Sequence, residues 1–368
     1  MQVFRMSDDS QKRWAAFWEN DVYDRPVLMA YAPLAQPDPI RSLPPGKALP
    51  APLDPPQNNA EDLALYKRWF DIDDLILRTL KNAAGYAVGY ESTLQPNTGW
   101  SVAYCLPFGV KCEYNQYAAW CEPLDGITCA SDFDFDFKGK WFEWLHEGTK
   151  RMAQAGKNLY YITPVMWGNH SADTLSSMVG INHMMLACMD DPQSVKHALN
   201  TVTDAQIQAF AMIRDLEHIS ELPGSRNYTG TWSPKTTLSF DCDVSAMVSP
   251  KMFKDIFLPP LERIMETVDH RIYHLDGPVC LQHLPTLLEL PQLQAIQWVP
   301  GAGHDNPMDW IDLYAKMQKA GKSVIIYPAY DQVLDICKAL SPKGLALSFH
   351  CPSEDAMHEI VEKVAALY

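Results

Sequence analysis

The chain has 368 residues, with 45 acidic side chains against 30 basic ones and a formal charge of −15. Its composition, 47% hydrophobic and 20% charged, is that of a folded globular protein rather than a disordered one. The acidic balance speaks against a nucleic-acid binder, because phosphate recognition runs on Lys and Arg, and it disfavours a polyanionic substrate unless a local basic pocket overrides the field.

The cysteines stand at 105, 112, 121, 129, 188, 242, 280, 337 and 351. Nine cannot all pair, and no C-x-x-C occurs, so zinc ribbons and thioredoxin chemistry fall away. The first residues carry no apolar signal core, and no apolar run approaches the roughly 18 residues of a membrane span. The expectation is a reduced, cytoplasmic protein acting on a small molecule, with no membrane or nucleic-acid partner.

In chain order, residues 26–32 read as a short buried strand. Residues 33–58 are dense in Pro, which blocks helix and sheet hydrogen bonding, so they read as a long extended insertion. Further strand candidates lie at 86–91, 158–164 and 228–240. Between them, the alternation of Asp and Phe over Asp132–Phe137 predicts a solvated edge with its charges on one side. Residues 249–270 begin with Ser-Pro and carry apolar residues at helical spacing, which predicts a helix, kinked at Pro259 and Pro260. Strands then alternate with helices: strand 271–275, helix 279–289, strand 293–299, helix 308–320, strand 323–327, helix 332–340, strand 345–349 and helix 353–367. Short buried strands separated by helices, with no hairpin signal, predict parallel strands with helical crossovers. The fold expected is α/β, a single (β/α)8 barrel over residues 1–368. An open doubly wound sheet is the alternative, but no G-x-G-x-x-G follows a first strand.

In such a barrel the functional groups lie at the C-terminal ends of the strands. Strand 271–275 delivers His274 and, two residues on, Asp276, which share a face if the strand continues. They suit a metal site or an acid–base pair; equally, Asp276-Gly277 fits a plain turn and His274 a satisfied core histidine. Strand 345–349 delivers His350 and Cys351 on opposite faces, so that one of them reaches the mouth. Cys351 suits a metal, or is a buried free thiol. Gln297, Trp298 and Tyr327 end their strands, and Trp232, Asp241 and Asp243 lie in or beside the 228–240 segment. The aromatic residues Trp232, Trp298 and Tyr327 are expected to line a pocket suited to an ammonium or sulfonium group.

The stretch Val248-Ser249-Pro250-Lys251-Met252-Phe253, running on to Leu258-Pro259-Pro260-Leu261, resembles the "ISPEMF…LP.L" helix of the uroporphyrinogen decarboxylase superfamily. The order of His274-Leu275-Asp276-Gly277, then Gln297-Trp298-Val299-Pro300-Gly301, then Cys351 is similar to the branch of corrinoid-linked methyltransferases, such as methylcobalamin:coenzyme M methyltransferase. That resemblance implies a (β/α)8 barrel and a zinc or other divalent metal site. His274 and Cys351 are the ligands carried over, and Asp276 stands where the family has Cys. The resemblance also implies a corrinoid, carried on a partner protein, as methyl donor. The decarboxylases proper resemble one another in an Arg-rich M-R-Q-A-G-R segment after the first strand. Leu28–Pro33 of this chain holds no Arg, so porphyrinogen is not the expected substrate.

Two functions follow as expectations. One is a metal-dependent methyltransferase moving a methyl group from a corrinoid or small methylated donor to a thiol, with His274, Cys351 and Asp276 on the metal and Trp232, Trp298, Tyr327 and Gln297 around the substrate. The other is a metal-independent decarboxylase or lyase on a small acid, with Asp276, or Asp241 or Asp243, as acid–base group and His274 orienting it.

Overall fold

The computed structural model describes residues 6–368 except 41, 44–48, 50, 51, 57, 58, 97–102 and 163–169. Its centre is a mostly parallel sheet. In chain order its strands are β1 (Val27–Pro33), β2 (Tyr86–Tyr90), β7 (Thr237–Phe240), β8 (His270–Asp276), β9 (Ala295–Val299), β10 (Ser323–Ile326) and β11 (Leu345–His350). Two short hairpins lie outside it: β3 (Lys111–Tyr114) with β4 (Ala119–Glu122), and β5 (Ser225–Arg226) with β6 (Trp232–Ser233). The sheet order is β2-β1-β11-β10-β9-β8-β7. All pairs are parallel except β1 with β2.

The strand–helix alternation expected after residue 270 is present; β8 starts one residue early and β9 two residues late, while β10 and β11 start where expected. The first half departs from expectation. β2 runs antiparallel, and the 228–240 segment breaks into β6 and β7. Residues 158–162 form turn and coil, and 163–164 fall outside the described residues. Among the described residues the sheet has seven strands and two ends, β2 and β7, rather than the eight paired strands of a closed barrel. Irregular chain spans the distance between those ends. Arg226 Nε donates to Thr93 Oγ1, Thr93 Oγ1 donates to Gly230 O at 3.2 Å, and Tyr161 N donates to Leu94 O at 2.8 Å. Asn227 Nδ2 then reaches Thr237 Oγ1 of β7 at 2.9 Å.

Side chains alternate between two buried layers, as the period of a strand requires. The outer layer takes Leu28, Phe240, Tyr273, Ile296, Trp298, Leu347, Phe349 and Cys351 beneath the helices. The inner layer gathers Val27, Met29, Ile272, Ala295, Ile325 and Ala346 around Trp14, Phe17, Trp18 and Trp232. The helix Asp8–Trp18, capped by Ser7, closes the N-terminal end of this inner face. Trp18 stacks on His270, the first residue of β8, and Ser323 Oγ, at the start of β10, donates to Phe17 O. The inner face is therefore apolar and plugged at the strand starts and polar at the strand ends.

The helix expected at 249–270 spans 250–265, with Ser249 accepting the Met252 N–H as its cap. Pro259 and Pro260 do not produce a simple kink. The turn before them, Phe253–Phe257, widens to a π-helix. Prolines lack an N–H and clash with the carbonyl four residues back, here those of Asp255 and Ile256, and the wider turn accommodates both.

Candidate active site

The polar end of the inner face collects one side chain from each strand end. His274 of β8 and Gln297 of β9 are register partners, and His274 Nδ1 lies 2.7 Å from Gln297 Oε1. With the Gln297 amide oxygen as acceptor, Nδ1 is the donor of this bond and Nε2 is left outside it. The Tyr228 ring packs edge-on at 5.9 Å from the His274 ring. On the other side, Tyr31 of β1 and His350 of β11 are register partners with ring centres 5.4 Å apart. Tyr327, just past β10, donates its hydroxyl to Thr229 O at 2.8 Å.

Tyr327 is 42% exposed, yet burial pushes its phenol well above its ordinary value. Asp243 is likewise exposed while burial is the main cause of its raised pKa. Both groups thus present open side-chain surface at the strand ends, and a hollow there would be lined by them.

The carboxylates after β7 differ in charge preference. Asp241 Oδ1 lies 2.8 Å from Nδ1 of His170, which is buried at the start of the helix Ser171–Val179. Burial alone would raise the Asp241 carboxyl, but His170, with His274 further off, holds it below the ordinary carboxylate value. Asp243 is pushed up by burial and then by the Asp241 charge, with Asp276 adding to the effect and His274 opposing it. Asp173 is raised well above its ordinary value by burial, then by Asp241 and Asp243. It accepts the N–H groups of Asp243 and Val244 at 3.2 and 3.0 Å.

Of the residues expected from the sequence, His274, Asp276, Gln297, Tyr327 and Asp243 come to this end of the fold. Trp232, Trp298 and Cys351 do not. Trp232 is a plug in the inner apolar layer, its Nε1 donating to Pro223 O at 2.8 Å. Trp298 follows Gln297 by one residue and so faces outward, against Trp310 at 5.1 Å. Cys351 follows His350 by one residue and sits in the outer layer, where burial pushes its thiol up to about 11. The zinc set His274, Asp276 and Cys351 therefore does not fit this arrangement, because its thiol lies across the sheet from its imidazole. Among the described residues no group of three or more His, Cys, Asp or Glu converges on a metal position.

Sequence reasoning passed over Tyr31, His170, Asp173, Arg226 and Tyr228. Tyr31 and His350 were within reach of the strand period, since each stands two residues beyond an inner apolar position or its register partner. Arg226 and Tyr228 lie in a polar run without local period, and only their long-range bonds reveal them.

No protein-family profile matches the chain, and no curated protein is similar to it in sequence. Among solved structures it is similar to a methyltransferase from Methanosarcina mazei, at 11% identity and a TM-score of 0.58, covering 97% of this chain and 98% of that one. A likeness of that extent at so low an identity is a likeness of fold.

Proposed function

We propose that this protein is a methyltransferase acting on a small molecule, of the uroporphyrinogen decarboxylase-like kind its sequence resembles, on a barrel-like variant of that fold in which irregular chain takes the place of a strand between β2 and β7. The observation that carries the reading is a base held at the strand ends. His274 is fixed through Nδ1 by Gln297 and packed by Tyr228, with Tyr327 at the neighbouring strand end, and in this reading its Nε2 serves as the base. The end-to-end similarity in fold to a methyltransferase supports it. In this reading His274 Nε2 takes the proton of the acceptor thiol. The sulfur then attacks the methyl carbon in line, and the donor leaves with the bonding pair. The donor classes are a corrinoid on a partner protein, as the resemblance implies, or a small sulfonium or ammonium held by the tyrosine rings. Since the zinc donors do not assemble, no step here passes through a metal.

The test incubates the protein with methylcobalamin, a dimethylsulfonium or tetramethylammonium and a small thiol, and follows the methyl thioether by mass spectrometry. His274→Ala is expected to slow its formation by about 10²–10⁴. Absence of methyl thioether from all three donors overturns the reading.

A second reading is an acid–base lyase or decarboxylase on a small acid. It is favoured by one observation: Asp241 and Asp243 are pushed in opposite directions, the pattern of a base beside an acid. Loss of carbon dioxide release in Asp243→Asn, with no methyl transfer in the parent, would select it.

A further inference from the structure

Two arginines are buried in the described structure, Arg25 and Arg226, and they are compensated differently. Arg25 grips Glu91 with two nitrogens, at 2.8 and 3.1 Å. Arg226 is 6% exposed and has only neutral partners: Thr93 Oγ1, Asn227 O at 3.1 Å, and the Tyr31 hydroxyl. Every Asp and Glu of the chain lies among the described residues, and none forms an ion pair with Arg226. Lys322, the one buried lysine among the described residues, is a different case. It donates to Leu290 O and Leu293 O, just past the carbonyl end of the helix Leu284–Glu289, where the helix dipole is negative.

An unpaired buried guanidinium is costly to keep, because it has given up water without gaining a counter-charge. Its position explains the retention. Arg226 is surrounded by Tyr31, Tyr327 and Tyr161, the first two at the strand ends. Opposite it stands Gly230, at φ +93°; a Cβ there would come within 3.6 Å of Arg226 Nη2 and 3.3 Å of Met29 Sδ. The positive φ is what favours glycine at this position, and it brings the chain to ordinary contact distance of the guanidinium. Tyr327 lies near both Arg226 and Tyr228, and Tyr228 packs on His274, which connects the guanidinium to the base.

We propose that Arg226 is the binding residue for an oxyanion on the substrate, a carboxylate or a phosphate, whose far end reaches His274. Which end reacts rests on the methyl-transfer reading; the anion site itself does not. A planar guanidinium with neutral neighbours offers a fork to a carboxylate and supplies the charge that the fold leaves unbalanced. The net charge of −15 would repel such a ligand from most of the surface, and one local cation reverses that within the hollow.

The test is direct binding to the full chain by calorimetry at constant ionic strength, without turnover, so that a failed methyl transfer leaves it unaffected. Propionate and inorganic phosphate are the probes, and propionamide is the neutral control. Saturable binding of one anion, absent for the amide and weakened at least about tenfold in Arg226→Met, supports the proposal, and the anion preferred names the class. The ligand-free Met variant should melt no lower than the parent, since removing an uncompensated charge relieves the fold. A lower melting point with unchanged anion binding makes Arg226 structural and overturns the proposal. So does the absence of saturable binding of either anion to the parent. Should the Met variant fail to fold, Arg226→Lys keeps the charge and loses the fork, and undiminished propionate affinity in it is equally fatal.

Discussion

Residues 237–368 and residues 6–236 supply the two sides of one sheet by different physical means. The later region is built from strand–helix units whose strands lie next to one another in space as in sequence, and apolar packing holds it together. The earlier region contributes only β1 and β2 to the sheet; its helices share the same apolar core, and buried polar contacts in addition knit its own distant segments together. Their centre is Glu91, which accepts from Ser10, Arg13, Arg25 and the Leu28 N–H. Packing against a neighbouring unit needs only a local pattern. Anchoring a distant segment needs specific partners, and those carry more at each position.

That difference can be tested, beginning with the largest effect. Glu91→Ala leaves Arg13 and Arg25 without their buried counter-charge and should cost about 3–5 kcal/mol in chemical denaturation. A loss under about 1 kcal/mol would make the hub dispensable and remove the contrast. Next comes Gly344, before β11, at φ +59°, where a Cβ would meet Asn20 Oδ1 at 2.3 Å and Ser323 Oγ at 2.6 Å. Gly344→Ala should cost about 1–3 kcal/mol, because it strains the backbone and crowds a join between the two regions. Cys351→Ala should cost only about 1 kcal/mol, the price of one buried sulfur in the outer layer. Elemental analysis should find its metal content equal to the parent's; a bound metal that disappears with this thiol would restore the sequence-based zinc set.

The smallest effect is one of pH. Asp173 is raised well above its ordinary value in the folded state, by burial and by Asp241 and Asp243. A carboxyl raised on folding stabilises below its unfolded pKa of about 4, and that contribution is lost as pH rises toward its folded value. The stability of Asp173→Asn relative to the parent should therefore grow from about pH 4 upward. A difference that is flat or falls with pH contradicts the assigned electrostatics.

The same contrast governs what could be read in the sequence. Strands β8 to β11 were legible because each is a short apolar run ended by Gly or Pro or followed by a helix with apolar period. Asp132–Phe137 was legible for the same reason: its aspartates are exposed, while Phe135 packs on Phe108 and Phe142. At the strand ends the period also limited the site, but it had to be applied one residue at a time. His350 and Cys351 occupy opposite faces, and chemical preference for a thiol selected the wrong side of the sheet. Trp298 fell to the same parity, being next to Gln297. In the first half β2 was legible as a strand but not in its antiparallel direction, and the 91–96 and 225–233 segments have no period to read. Their places depend on bonds such as Tyr31 to Thr93 and Arg226 to Thr93, between residues that are distant in sequence.

The pairing of β1 with β11 has a consequence for how the protein is made. Val27 lies beside Ala346, roughly 300 residues later. At ribosomal rates of about 5–20 residues per second, β1 is exposed on the order of tens of seconds before its parallel partner exists. Its antiparallel neighbour β2 arrives early and covers one edge. The other edge waits, apolar and unpaired, until nearly the whole chain has emerged. Yield on expression should then depend on temperature and on holding chaperones more than on the stability of the finished fold.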